Sequence, residues 1–127
     1  MSDIRSFEGL ECWKIGVEIR KLSMELVRSL PPEEKYDLGS QLKRAARSIT
    51  ANIAEGYGRF HFQENIQFCR ISRGSAYETI DHLLVAEEES YITKPEFDIA
   101  RELINTFLKV LNGYIKYLSN AKKNNNH

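Results

Sequence analysis

Proline, cysteine, histidine and net charge are all scarce in this chain of 127 residues, and each scarcity removes a class of protein. The three prolines, Pro31, Pro32 and Pro95, fall between periodic segments or at their starts. No stretch alternates apolar and polar residues with the period of two that a half-buried strand needs, so an all-α chain is the economical reading. Two cysteines, Cys12 and Cys69, are too few for a disulfide framework and lie in apolar surroundings, as free thiols of a reducing compartment do. Eighteen basic and eighteen acidic residues cancel, with a sequence pI near 6.8. That balance excludes indiscriminate coating of nucleic acid and requires any anion binding to come from local asymmetry. There is no apolar run of about eighteen residues, and Met1-Ser2-Asp3-Ile4-Arg5 has no basic region leading into an apolar one. The expectation is a cytoplasmic protein with no membrane partner.

Chemistry-bearing constellations are equally thin. Histidine is limited to His61, His82 and His127, and the Glu-x-x-His pairs of metal-carboxylate bundles do not occur. Glu78 and His82, four residues apart, read as a surface pair on the outer side of a helix. No Gly-x-x-x-x-Gly-Lys phosphate loop, no His-Glu-x-x-His and no nucleophile elbow is present. The sequence therefore predicts no enzyme, no metal site and no cofactor.

Length and a hydrophobic content of 42% fit one domain, residues 1–127. Four helices are expected at about 8–29, 33–57, 62–90 and 95–119, with a flexible tail over 120–127. Pro31 and Pro32 end the first helix, and Pro32-Glu33-Glu34 opens the second, where proline and carboxylates suit a first turn. Gly56 and Gly58 are expected to supply a left-handed C-cap. Thr93 followed by Glu96 forms a capping box for the fourth helix, whose stripe is Ala100, Leu103, Ile104, Phe107, Val110, Leu111, Tyr114 and Leu118. Three short connections favour an antiparallel up-down-up-down four-helix bundle. The inner line of the third helix is rich in small residues, and the hydroxyls of Ser72 and Thr79 are expected to bond back to their own helix.

Two helices carry more apolar surface than a monomer needs. In the first, Leu10, Trp13, Val17 and Met24 oppose a second stripe of Ile15, Ile19, Leu22 and Leu26; in the third, Ile71 and Val85 lie on the outer side. These six last-named residues are the expected interface of a homo-oligomer, the alternative for the first helix being a central position in the bundle.

The second helix is the most informative segment. Leu38, Leu42, Ala45, Ala46, Ile49, Ile53 and Tyr57 make its core stripe, and the opposite side carries Ser40, Arg44, Arg47, Ala51, Ala54 and Gly58. A merely solvated helix would place Glu and Lys there. Small residues permit close approach, and arginines supply planar forks for phosphate or carboxylate. Between Gln41 and Arg73, Lys43, Arg44, Arg47, Arg59, Arg70 and Arg73 face only Glu55 and Glu64. They form the candidate nucleic-acid-binding set. Tyr57, Phe60, His61 and Phe62 can stack on unpaired bases or form the hinge between helices. Asn52 is expected to bond to a neighbouring helix and Glu55 to neutralise an arginine or cap an adjacent terminus.

Phe7, Leu10, Trp13 and Lys14, then Pro32, Glu34, Tyr36, Leu38, Gln41, Leu42, Arg44, Ala45, Ala46, Ser48 and Ile49, lead to Asn52-Ile53-Ala54-Glu55-Gly56 with Gly58-Arg59; Phe68, Ile71, Gly74, Ser75, Ala76 and Glu78 follow. This pattern resembles the bacterial four-helix-bundle proteins encoded within intervening sequences of 23S rRNA genes, over nearly everything but the two tails. The resemblance implies a homopentameric barrel. It also implies kinship with the accessory variability protein of diversity-generating retroelements, a pentamer that binds nucleic acid and associates with a reverse transcriptase. No catalytic residue comes with it. Those accessory proteins are markedly basic and this chain is neutral, a departure that bears on nucleic-acid binding. Two functions follow as expectations: an RNA- or ribonucleoprotein-binding accessory protein using the basic helix face, or an interaction scaffold whose arginine and alanine face is a subunit or partner interface.

Overall fold

The computed structural model describes residues 6–125. Within them the chain forms a 3-10 turn at Phe7–Gly9 and then α1 (Glu11–Val27), α2 (Pro32–Lys35), α3 (Leu38–Tyr57), α4 (Phe62–Glu88) and α5 (Lys94–Asn125), with no strand among the described residues. Four long helices pack as a bundle around one core, and α2 is a single turn.

Local chemistry accounts for most of the boundaries. The Thr93 capping box forms as expected: the Glu96 N–H donates to Thr93 Oγ1 at 3.2 Å, and the Thr93 N–H donates to Glu96 Oε1 at 2.8 Å. The predicted second helix is divided, because Asp37 leaves the helical region (φ −113°, ψ −91°) between α2 and α3. The break brings Leu30 and Leu38 into the core while Tyr36 stays 91% exposed. It also folds the α2 backbone onto Gly39, where a Cβ would lie 3.2 Å from the Glu34 carbonyl and 3.3 Å from Val27. The Tyr91 hydroxyl then donates to Glu34 Oε2 at 2.9 Å, tying α2 to the α4–α5 connection. That bond is the first cause of a raised Tyr91 phenol pKa.

The end of α4 is a Schellman motif. The Tyr91 N–H reaches the Ala86 carbonyl at 2.8 Å, the Ser90 N–H reaches Glu87 at 3.0 Å, and Ser90 sits in the left-handed region at φ 62°. By contrast α5 outruns its expected end near residue 119 and stays helical to Asn125. Leu118 is buried, and Lys122 Nζ donates to Gln63 Oε1 at 2.6 Å, which holds that last stretch against α4. The rest of the expected tail lies outside the described residues.

The stripes of α3, α4 and α5 pack inward as their spacing predicts, with Ile49, Ile53, Cys69, Ala76, Phe107 and Leu111 fully buried. The assignment for α1 is corrected. Ile15, Ile19 and Leu26, expected at a subunit interface, lie in the core of the single chain, and Leu22 and Val85 are half-buried against it. The reason is the position of α1 between two helices: a Cβ on Gly16 would meet Thr50 at 3.0 Å on α3 and Phe107 at 3.6 Å on α5. A helix contacted from two sides is apolar on both. Of the expected interface residues, Ile71 alone is exposed.

Small residues let α3 and α4 approach closely, and buried hydroxyls stitch the seam. Ser72 Oγ donates to the Ile49 carbonyl at 2.7 Å and Ser75 Oγ to Ser48 Oγ at 2.8 Å, while Thr79 Oγ1 bonds back to Ser75 O at 2.8 Å. Thr79 thus follows expectation and Ser72 does not, because a closely approaching helix offers it an outside carbonyl. Among the described residues no buried side-chain polar atom lacks a hydrogen-bond partner.

Candidate nucleic-acid interface

The outer face of α3 is open along its length. Arg44, Arg47, Ala51 and Gly58 are exposed, and Ser40 and Ala54 are partly so. Arg44 Nη2 donates to Ser40 Oγ at 3.3 Å. Neither Arg44 nor Arg47 lies within 4.0 Å of a carboxylate among the described residues. Lys43 turns toward α1, where it lines a cleft of about 340 Å³ with Met24, Val27, Arg28 and Lys35. Among the described residues three cations and no carboxylate line that cleft, so Arg28 and Lys35 extend the basic surface beyond the set legible in the sequence.

The remaining candidates are dispersed or engaged. Arg70 belongs to a separate α4–α5 cleft with Gln63, Ser119, Lys122 and Lys123. Arg73 Nη1 donates to Asn112 Oδ1 at 2.8 Å. Arg59 is ion-paired to Glu55 at 3.0 Å and to Glu64 at 3.4 Å, with its guanidinium carbon 5.1 Å from the centroid of the Phe68 ring. Glu55 therefore neutralises an arginine as expected. Asn52 differs: its amide donates to Ser48 O and Ser48 Oγ, both at 2.8 Å, within its own helix.

The glycines of the Asn52–Arg59 segment also have a different cause from the one expected. No glycine among the described residues has a positive φ, and Gly58 sits at φ −72°. Gly56 is required by the approach of α4 instead, since a Cβ there would lie 2.8 Å from both Asn65 Oδ1 and Phe68 Cβ. The helix simply ends where α3 and α4 converge.

Beyond that point lies a cleft of about 640 Å³ between the α3–α4 connection and the far end of α5. Leu10, Tyr57, Phe60, His61, Phe62, Tyr114, Tyr117 and Leu118 line it, together with Arg59 and Asn65. Phe60 is 99% exposed and Tyr117 64% exposed, and the Tyr114 and Tyr117 rings lie 13° from parallel with centroids 6.3 Å apart. Asn65 Nδ2 donates to the Tyr114 hydroxyl at 3.2 Å. Burial pushes the Tyr114 phenol up to about 12 against the lowering effect of that bond. Sequence reasoning found the connection's aromatics but not their α5 partners; the i, i+3 pair Tyr114 and Tyr117 was the available signal.

Other reactive groups do not converge. Glu78 and His82 pair at 3.0 Å, but the imidazole is largely buried rather than on the surface, because the outer edge of α4 is covered where α3 begins. Burial raises the Cys12 thiol to about 11 and the Cys69 thiol to about 12, which keeps both protonated and poorly nucleophilic at neutral pH. Among the described residues no three His, Cys, Asp or Glu side chains are grouped to hold a metal ion, and no helix is long and apolar enough to cross a membrane.

Fold and surface together define an all-α helical-bundle protein with a basic helix face. More specifically, the chain belongs to the 23S rRNA-intervening sequence protein family, whose model matches residues 8–113. A crystal structure at 1.70 Å of a protein with unknown function, from the S23 ribosomal protein family of Bacteroides thetaiotaomicron, has a similar fold. The TM-score is 0.76 at 23% identity, covering 83% of this chain and 98% of that one. No curated protein matches.

Proposed function

We propose that this protein is a non-enzymatic, oligomeric accessory protein of the bacterial cytoplasm that binds structured RNA through the outer face of α3. The observation that carries this reading is the pair Arg44 and Arg47, exposed and without a carboxylate partner among the described residues, beside the all-cationic cleft of Arg28, Lys35 and Lys43. A planar guanidinium set among small residues favours a bidentate anion, and phosphate on a nucleic-acid backbone presents that group repeatedly. Neutral overall charge restricts the attraction to this face. Contacts that pair Gly56 with Asn65, Ile49 with Ser72 and Ser48 with Ser75 support an antiparallel course for α3 and α4, as an up-down-up-down bundle requires.

The test is anisotropy of a labelled structured RNA at several salt concentrations, with the protein's mass determined under the same conditions. A steep salt slope that weakens in the Arg44→Ala, Arg47→Ala double variant is expected. Absence of binding at low salt, or binding indifferent to both arginines, would overturn the reading.

A second reading is favoured by one specific feature. Ile71, Tyr77 and Leu84 on the outer side of α4 are 51%, 57% and 36% exposed, around the exposed Gly74. Apolar surface of this kind fits a subunit interface, the homopentamer implied by the family resemblance included, or a protein scaffold. Assembly and RNA binding are compatible, since copies around an axis multiply the field of the α3 arginines.

A further inference from the structure

We propose that the aromatic cleft between the α3–α4 connection and the end of α5 is a pocket for an unpaired nucleobase. The inference deepens the RNA-binding reading and rests on it for the ligand's source. Charge decides against the phosphate backbone here: among the described residues Arg59 is the sole Lys or Arg in the lining, and Glu55 and Glu64 already neutralise it. What the cleft offers is ring surface. Phe60 stands almost fully in solvent at the helix connection and Tyr117 is two-thirds exposed, so neither ring is held there by the core. Exposed rings at the rim of a cavity supply the sequence-tolerant stacking platforms that unpaired bases use.

The cleft also carries polar atoms suited to a base edge. The Tyr114 oxygen accepts from Asn65, and among the described residues its own O–H has no acceptor, leaving a donor at the cleft wall. A flat, uncharged heteroaromatic with acceptors on its rim satisfies both the rings and that hydroxyl, and a cavity of about 640 Å³ admits a base with its sugar. The location agrees with the interface on α3, because Arg47 and the cleft-lining Tyr57 are separated by about 15 Å along the α3 axis at ~1.5 Å per residue. A strand leaving the arginine face runs toward the cleft.

The experiment separates the pocket from the interface. Adenosine and uridine, which carry no phosphate, are titrated into the full chain while the aromatic NMR signals of Phe60, Tyr114 and Tyr117 are followed. Affinities for single-stranded oligoadenylate and for duplex RNA are measured in parallel on the intact protein and on Phe60→Ala and Tyr117→Ala. Both substituted side chains are exposed, and unchanged thermal unfolding checks that the fold persists. Nucleoside-dependent shifts of these rings are expected, with a ~10-fold loss of single-strand affinity in each variant and little change for duplex. Unmoved ring signals with intact duplex binding would overturn the pocket alone. Nucleoside shifts without any RNA binding would sink the α3 interface and leave the pocket as a nucleoside site. Shifts by an apolar peptide but by neither nucleoside would assign the cleft to a protein partner and overturn the proposal.

Discussion

Gly56 on α3 faces Asn65 on α4 so closely that a Cβ on the glycine would sit 2.8 Å from the Asn65 amide oxygen. Phe68 Cβ stands at the same distance and the Asn65 carbonyl oxygen at 3.1 Å, and these two atoms lie on or next to the α4 backbone rather than at the end of a flexible chain. Gly56→Ala must therefore push α4 outward. The gain in helix propensity, ~1 kcal/mol, offsets only part of the overpacking, and a net destabilisation of ~1–2 kcal/mol is expected. Gly58→Ala is the control: its Cβ meets only carbonyl oxygens at 3.5 Å and 3.6 Å with φ −72°, so stability should be unchanged or up by ~0.5 kcal/mol. Denaturant midpoints of the two variants decide it, and equal effects would refute the close-approach explanation.

The left-handed cap expected at those glycines is found at Ser90 instead, with φ 62°. A serine there carries a Cβ penalty that glycine does not, and its N–H and that of Tyr91 already close the Schellman bonds. Ser90→Gly should stabilise the protein by ~0.5–1 kcal/mol, read as a rise in midpoint at constant denaturant slope. A loss of stability would mean that the serine hydroxyl makes a contribution larger than the strain.

These two positions show what was legible in the sequence. Periodicity marked the buried faces of α3, α4 and α5 because a core stripe is a local property of the chain, and Thr93 with Glu96 announced a cap whose partners are three residues apart. Gly56 could be recognised as special but not explained, since its cause, Asn65, lies across a helix contact. The same limit governed α1, where two apolar stripes are equally consistent with a central helix and with a subunit interface. At the candidate site, Arg44 and Arg47 were visible from one helix's projection. The engagement of Arg59 by Glu64, the dispersal of Arg70, and the placing of Phe60 and Tyr117 on one cleft depend on helix placement.

Reassigning α1 changes what a polar substitution there should do. Ile19 is 2% exposed, so Ile19→Lys buries an ammonium in the core and should unfold the chain or cost more than ~3 kcal/mol. Ile71→Lys with Leu84→Lys, on the outer side of α4, should leave the helical circular dichroism and melting behaviour intact. If that side joins subunits, the double variant lowers the solution mass measured by light scattering. An unchanged mass would exclude this face as the interface.

The buried thiols give stability a defined pH dependence. Burial raises Cys12 from 9.0 to about 11 and Cys69 from 9.0 to about 12, and it raises Tyr114 from 10.0 to about 12. The unfolded chain releases these protons first, so above pH 9 the unfolded state binds fewer protons and the unfolding free energy falls as pH rises. Their contribution is complete below pH 9 and lost progressively toward pH 11–12. Urea midpoints measured across that window should decline, and a Cys12→Ala, Cys69→Ala variant should decline less steeply. Ready modification of both thiols by a water-soluble disulfide reagent at pH 8 without denaturant would contradict their burial.

Arg44, on α3, and Arg59, two residues past its end, should differ in their effect on RNA binding. Each unpaired arginine that meets a phosphate releases about one counterion, so Arg44→Ala and Arg47→Ala should each reduce the slope of log affinity against log salt by ~1 per subunit in contact. Arg59 already shares its charge with Glu55 and Glu64, at side-chain exposures of 43%, 52% and 44%. Bringing a phosphate to it means displacing a carboxylate, which leaves little net gain. Arg59→Ala should therefore leave the slope unchanged. It should cost no more than ~1 kcal/mol of stability, because surface ion pairs contribute little and the Phe68 contact is partly exposed. Removing the carboxylates is the converse test: Glu55→Gln with Glu64→Gln frees the guanidinium and should steepen the slope by up to ~1, provided the strand passes the C-terminal end of α3. A slope that falls in Arg59→Ala as much as in Arg44→Ala would place the phosphate contacts at the helix end, and the cleft beside it would have to accommodate backbone as well as base.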